Sequence, residues 1–502
     1  MARATLRTLL PLLALAGAFA VLVQASGHNQ SSHYALVRAL DDGTARIDRW
    51  HTSTVDKAYF EGHYYSVKAP GLAFASLPWY AATDAVGLVE RAESAGERVT
   101  REEEGARGNP EIVEQTPVVW LLTFWAVVLP ALALLVLVRS VAERYAPGYG
   151  TAAAVAAGTG TLLLPYSTMY YSHVPAAALA FGAFALLLRE RPLLAGLAGG
   201  LAVLVEYPAA FIVLVLAIWA RSPRFVLGAF VGGLPLPLYN LWAFGSVTHM
   251  SYDDVVGFEG QEEGLFGISL PDPATAFELL FEPTGLLVLT PVVAAAAWGL
   301  WRLRSWVLIA IVAVALLYNA AYYLPFGGDT PGPRFLVGAL PFLAVGLAVA
   351  LRERTTITLG LAAASAVGML VATIAEPQIV NQDTGRWHDL LADGDLQYTL
   401  AGAAGAGHGW LGILPFLALV ALAIVLAART LPAVSGGAAV ALAVVGAWAL
   451  VAGVAGDAVF VTLAGAVAGA AAVVIAARSA GRSRSPAPCR RSTGRSRTRP
   501  RS

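Results

Sequence analysis

Charge is scarce in this chain. Of its 502 residues only 13% are Asp, Glu, Lys or Arg, while 57% are hydrophobic. Soluble domains carry roughly 25% charged residues, so a soluble enzyme is excluded. Cysteine is nearly absent too: the single one, Cys489, rules out a disulfide framework and any cysteine-based metal site within one chain. Lys plus Arg and Asp plus Glu are equal at 33 each, giving a formal net charge of zero. That balance says nothing about partners, and nucleic acid is not expected as one. An internal repeat is also missing, and the Ala/Gly-rich runs 403–409 and 464–472 read as helix packing or loop slack.

What the chain has in abundance is apolar runs. Stretches of roughly 17–22 residues recur, the length an α-helix needs to cross a bilayer, and the mean hydropathy is +0.65. The fold class that follows is all-α, a multi-pass transmembrane bundle of about 12–14 spans. Residues 1–26 hold the first span, with Arg3 and Arg7 before an apolar run that reads as an uncleaved anchor rather than a signal peptide. Residues 27–116 form a long polar loop, 117–477 the helical body, and 478–502 a basic, disordered tail.

Arginine placement orients these parts, because Lys and Arg in short loops stay cytoplasmic. Arg139/Arg144, Arg189/Arg191, Arg221/Arg224, Arg302/Arg304, Arg352/Arg354, Arg429 and the tail then fall inside, with both termini. The rule holds only if the moderately apolar stretch 71–89 lies on the membrane surface as an interfacial helix. Crossings are expected at 117–138, 150–167, 173–189, 192–206, 207–220, 224–242, 286–302, 305–323, 335–351, 356–374, 411–428, 435–454 and 457–477. The pair around Glu206 is short enough for a shallow hairpin. Outside the cell membrane lie 27–116 and the loops 243–285, 324–334 and 375–410, so the extracytoplasmic face holds the polar diversity that a reaction needs.

The first outer loop begins Asn29-Gln30-Ser31-Ser32-His33-Tyr34-Ala35, with apolar or aromatic residues at 34, 36, 37 and 40 that predict a short helix along the membrane. Its most distinctive stretch is Gly62-His63-Tyr64-Tyr65-Ser66-Val67-Lys68-Ala69-Pro70-Gly71. Together, the Tyr-Ala element, the turns that follow and Tyr65-Ser66-Val67-Lys68-Ala69-Pro70 resemble the GT-C class of integral-membrane glycosyltransferases. The likeness is to the protein O-mannosyltransferase and aminoarabinose transferase branch, where that segment commonly reads Tyr-Phe-Glu-Lys-Pro-Pro.

The resemblance implies transfer of a sugar from a polyprenyl-phosphate donor to a protein, lipid or glycan acceptor on the outer face, with inversion. It makes Lys68 the donor-phosphate ligand. The family's acid falls where this chain has Asn29 and Gln30, neither of which can act as a base, so the catalytic carboxylate passes to Asp48 or Asp56. Arg334, in Gly327-Gly328-Asp329-Thr330-Pro331-Gly332-Pro333-Arg334, stands outside against the arginine bias and is a second phosphate candidate. Tyr65, His173, Glu206, His249, Asp253 and Asp329 are candidates for the substrate cavity. His249 with Asp253 and Asp254 is the one place suggested for a divalent metal ion; no other cofactor is indicated. Two alternatives belong to other classes. One is a transporter or flippase for a lipid-linked saccharide, which should show repeats and interrupted helices. The other is a non-catalytic relative serving envelope assembly.

Overall fold

The computed structural model describes residues 2–94, 110–262 and 264–432. The expected spans 435–454 and 457–477 and the tail with Cys489 lie outside the described residues. The apolar runs within them become helices: α1 (Ala2–Val21), α4 (Gln115–Tyr145), α5 (Gly150–Gly160), α6 (His173–Leu187), α7 (Pro192–Val205), α8 (Ala209–Ala220), α9 (Pro223–Phe244), α10 (Val292–Leu303), α11 (Trp306–Ala321), α12 (Arg334–Glu353), α13 (Thr355–Ile374) and α15 (Gly409–Ala428). The 27–116 segment contributes α2 (His28–Asp41) and α3 (Gly71–Asp84), and the 375–410 loop contributes α14 (Gly385–Asp393). The fold is that of a helical membrane protein.

Five of these helices are long and apolar enough to cross a membrane, or seven spans if each of two bent helix pairs counts as one. Others expected as full crossings are short. α7 has 14 residues and so measures roughly 21 Å at 1.5 Å per residue, against a hydrocarbon core of about 30 Å. Proline and glycine account for several breaks. Pro192 starts α7, Glu206-Tyr207-Pro208 separates it from α8, and Thr290-Pro291 divides Leu286–Leu289 from α10. The stretch 150–167 is likewise not one span, because α5 stops at Gly160 and Leu163–Tyr166 is a separate turn.

Glycine sets the closest approaches in the body. A Cβ at Gly196 or Gly200 of α7 would overlap the backbone of α9 at Phe225 and Ala229, and one at Gly228 or Gly232 of α9 would overlap α7 at Leu193 and Leu197. Two Gly-x-x-x-Gly faces therefore meet backbone to backbone, the device by which helices associate where no hydrophobic force separates them from lipid. Gly299 of α10 and Gly346 of α12 repeat it.

The helix ends sort the molecule into two poles. At one, Arg144 donates to the Leu188 carbonyl, Arg352 to the Tyr145 carbonyl, and Arg302 pairs with Glu353. At the other come together the C-terminal ends of α1, α7, α11 and α13 and the N-terminal ends of α6, α8 and α12, whose flanking residues line a common cavity.

Two short sheets and α2 close that second pole. β1 (Leu22–Val23) pairs antiparallel with β4 (Tyr398–Thr399), drawing the 375–410 loop over the end of α1. β2 (Lys57–Phe60) and β3 (His63–Ser66) form a hairpin with the two-residue turn Glu61-Gly62, both at positive φ (47° and 87°), as a type I′ turn requires. Ala58 bridges Val255, so the 243–285 loop adds to the hairpin's edge. The helix expected to lie along the membrane is instead buried on nearly every face: Asn29, Gln30, Ser31, Ser32, His33 and Tyr34 of α2 are all covered. Its polar side is enclosed by the hairpin and the helix ends. α3 buries Leu72, Ala73, Ser76 and Tyr80, then bends by 90° into Leu88–Ser94.

Candidate active site at the helix ends

The hairpin register builds the centre of the site. Lys57 opposes Ser66, so the residue before the first strand and the chain just after the second are brought side by side. There the Lys68 ammonium meets the Asp56 carboxylate at 2.7 Å, with side chains only 14% and 16% exposed. Ser32 of α2 holds both strands: its hydroxyl donates to the Asp56 carbonyl at 2.6 Å and lies 2.8 Å from the Ser66 hydroxyl. Thr54 completes the clamp by donating to the His28 carbonyl at 2.7 Å. At the C-terminal side, Gly71 abuts the end of α7, where a Cβ would come 2.6 Å from the Leu204 carbonyl oxygen.

Asp56 and Lys68 line a cavity of about 680 Å³. Arg334, Asp329, His173 and Glu206 line it too, as do His28, Asn29 and His33 from α2 and Glu376 and Arg386 from the 375–410 loop. Tyr171, Tyr207, Tyr252 and Tyr322 supply aromatic wall. Arg334 reaches in over Tyr171 and Phe335, at 5.8 and 5.2 Å from guanidinium carbon to ring centroid. Its Nε is buried and has no hydrogen-bond partner. Gly327, at φ 96°, is glycine for two reasons, since a Cβ there would also collide with the Arg334 side chain.

Electrostatics follows from this packing. Burial raises the Asp56 carboxyl, but the Lys68 ammonium, with help from Arg334 and His28, outweighs it and holds the group below the usual carboxylate range. Burial lowers the Lys68 ammonium, with Arg334 repelling it and Asp56 opposing the fall. His33 is held well below the ordinary histidine value by burial first and then by Lys68, so its imidazole is neutral. Partial burial raises Asp329, although its side chain stays exposed on one side.

Glu206 caps the end of α7 and meets His173 Nδ1 at 2.5 Å, leaving His173 Nε2 buried without a partner. Glu376 is bound by Arg386, whose neighbour Trp387 donates to the Glu376 carbonyl.

Of the residues singled out from the sequence, Asp56, Lys68, Arg334, His173, Glu206 and Asp329 therefore share one cavity. Four others do not line it. Asp48 accepts from the Tyr64 amide at 2.7 Å and meets His63 at 2.8 Å, fixing the outer edge of the hairpin. Tyr65 is buried against Phe244 at 4.9 Å between ring centroids. His249 meets Asp254 at 2.6 Å, and Asp253 accepts from the Met250 amide, the ordinary work of an aspartate at a short turn. Among the described residues no group of three or more His, Cys, Asp or Glu is arranged to hold a metal ion.

Sequence reasoning missed Asn29 and His33 as site residues. Their signal was present in the four-residue spacing that puts both on one face of α2.

No protein-family model and no curated protein matches the sequence. Among solved structures the chain is similar to an oligosaccharyltransferase of Archaeoglobus fulgidus, crystallised in the apo form. The identity is 13% and the TM-score 0.38, over 83% of this chain and 56% of that one.

Proposed function

We propose that this protein is a membrane glycosyltransferase that moves a sugar from a polyprenyl-phosphate donor to an acceptor hydroxyl at this cavity. The observation that carries it is the meeting of Lys68, Asp56 and Arg334 in one cavity at the ends of apolar helices. Two cations and a carboxylate at that depth suit a ligand that is anionic at its head and greasy at its tail. Under the positive-inside rule the arginine-rich pole faces the cytoplasm and the cavity opens outward.

Lys68 and Arg334 bind the donor phosphate, whose charge grows as the bond between the anomeric carbon and the phosphate oxygen breaks. The acceptor oxygen attacks that carbon from the opposite side, giving inversion, and its proton passes to Asp56. The products are the glycosylated acceptor and polyprenyl phosphate. In the empty site Lys68 depresses the basicity of Asp56. A donor phosphate that draws Lys68 away restores it, so the base becomes competent only when the donor is bound.

The test is transfer by purified protein in liposomes supplied with labelled polyprenyl-phosphate sugars and a hydroxyl acceptor. Lys68→Ala is expected to lower the rate about 10²–10³-fold, as loss of an anion-stabilising group does, and Asp56→Asn about 10²–10⁴-fold, as loss of a general base does. Transfer that is undiminished in both variants sinks the proposal.

A further inference from the structure

Charged groups crowd this cavity, yet one wall has none. On α2, Asn29 and His33 lie one turn apart, both line the cavity, and they are 8% and 1% exposed. Asn29 Oδ1 and both ring nitrogens of His33 are buried with no hydrogen-bond partner. Buried polar atoms are almost always satisfied, and leaving one bare costs about 1–3 kcal/mol. Three in one turn, facing a cavity, point to a ligand that supplies the missing bonds.

The chemistry of the wall defines that ligand. A neutral imidazole presents one donor and one acceptor, and an amide presents both. Such a set matches hydroxyl groups, which donate and accept in turn, and offers nothing specific to an ion. His33 is kept neutral by its burial and by Lys68.

The carboxylates complete the argument. Four of them line the cavity: Asp56 is paired with Lys68, Glu206 with His173 and Glu376 with Arg386. The fourth, Asp329, keeps an exposed side chain, accepts from the Asn381 backbone and belongs to the 324–334 loop, not to α2. Three of the four are thus already paired with a basic side chain and none belongs to α2, so the α2 wall itself offers an ammonium no counter-charge.

We infer that the α2 wall is the sugar-recognition subsite, with Asn29 and His33 hydrogen-bonding the hydroxyls of a neutral, polyhydroxylated sugar rather than an amino sugar. The inference rests on the glycosyltransferase reading and narrows it to a donor class.

The experiment measures binding of four probes to the full-length protein in detergent: farnesyl phosphate, farnesyl-phosphoryl mannose, farnesyl-phosphoryl arabinose and farnesyl-phosphoryl 4-amino-4-deoxyarabinose. At least one neutral-sugar probe is expected to bind about tenfold tighter than farnesyl phosphate, the gain from roughly one to two net hydrogen bonds, and tighter than the amino-sugar probe. In His33→Phe and Asn29→Leu that gain disappears, while farnesyl phosphate itself binds within about twofold of the parent, which also reports that the variants are folded. His33→Gln, which keeps a donor and an acceptor, recovers part of the gain. Tightest binding of the amino-sugar probe overturns the inference, as does equal weakening of bare and sugar-bearing lipids in the variants. If no farnesyl phosphate compound binds the parent protein at all, the glycosyltransferase reading itself fails.

Discussion

Lys68 and His33 show how differently two site residues announce themselves. Lys68 stands beside Pro70 and Gly71 in a polar stretch, and the resemblance of Tyr65-Ser66-Val67-Lys68-Ala69-Pro70 to a family segment is what implies an anion ligand there. His33 sits in an apolar-periodic segment whose polar residues look like a solvated face. Only the three-dimensional arrangement, with the hairpin clamped on Ser32 and helix ends closing above, turns that face into a cavity wall. Asp48 and Asp56 were equivalent as letters in one loop; the hairpin register alone separates them, taking Asp56 to Lys68 and Asp48 to the outer edge.

The burial of His33 has a consequence in pH. Its folded pKa lies well below the unfolded value of about 6.5, so below that pH the unfolded chain takes up a proton that the folded protein refuses. The stability contribution is complete above about pH 6.5 and is lost as pH falls below it, at up to about 1.4 kcal/mol per pH unit for one group. Thermal unfolding between pH 7 and 5 should therefore steepen in the parent protein relative to His33→Gln. Parallel curves for the two would show that His33 titrates normally.

Among the elements, helix positions were the most legible, because a long apolar run has few other outcomes. Helix lengths were not. Whether Thr161 or Glu206 ends a helix depends on what receives the freed backbone groups, which composition does not reveal. The hairpin was missed for a related reason: strands of four residues carry too little alternation to stand out, although Glu61-Gly62 is a compatible turn. The contact of α7 with α9 shows what glycine does in the body. Gly228→Leu forces a side chain into the Leu193 carbonyl and is expected to destabilise by about 1–3 kcal/mol through overpacking, read as a lower unfolding temperature in detergent. The same substitution at Val226, which is 60% exposed, should leave that temperature unchanged. Equal effects at both positions would remove the case for close glycine packing.

At the scale of the molecule, the polar division was visible in advance from where arginine stands. The structure agrees in gathering Arg144, Arg302 and Arg352 at one pole and Lys68, Arg334 and Arg386 around the cavity at the other. The 27–116 and 375–410 segments had no visible relation in the sequence. They meet because α1 and α13 end side by side, so that β1 pairs with β4 and the Gln378 amide donates to the Ala25 carbonyl. This gives the cavity walls from residues as far apart in the chain as 25–33 and 376–397.

The most direct test is an experimental structure of the protein in a lipid nanodisc with a farnesyl-phosphoryl sugar bound. The phosphate is expected between Lys68 and Arg334, with the Asp56–Lys68 pair loosened, the sugar against α2 and the farnesyl chain directed toward the apolar helices. A phosphate bound elsewhere on the molecule, with the Asp56–Lys68 pair intact and the cavity free of lipid, would contradict the account.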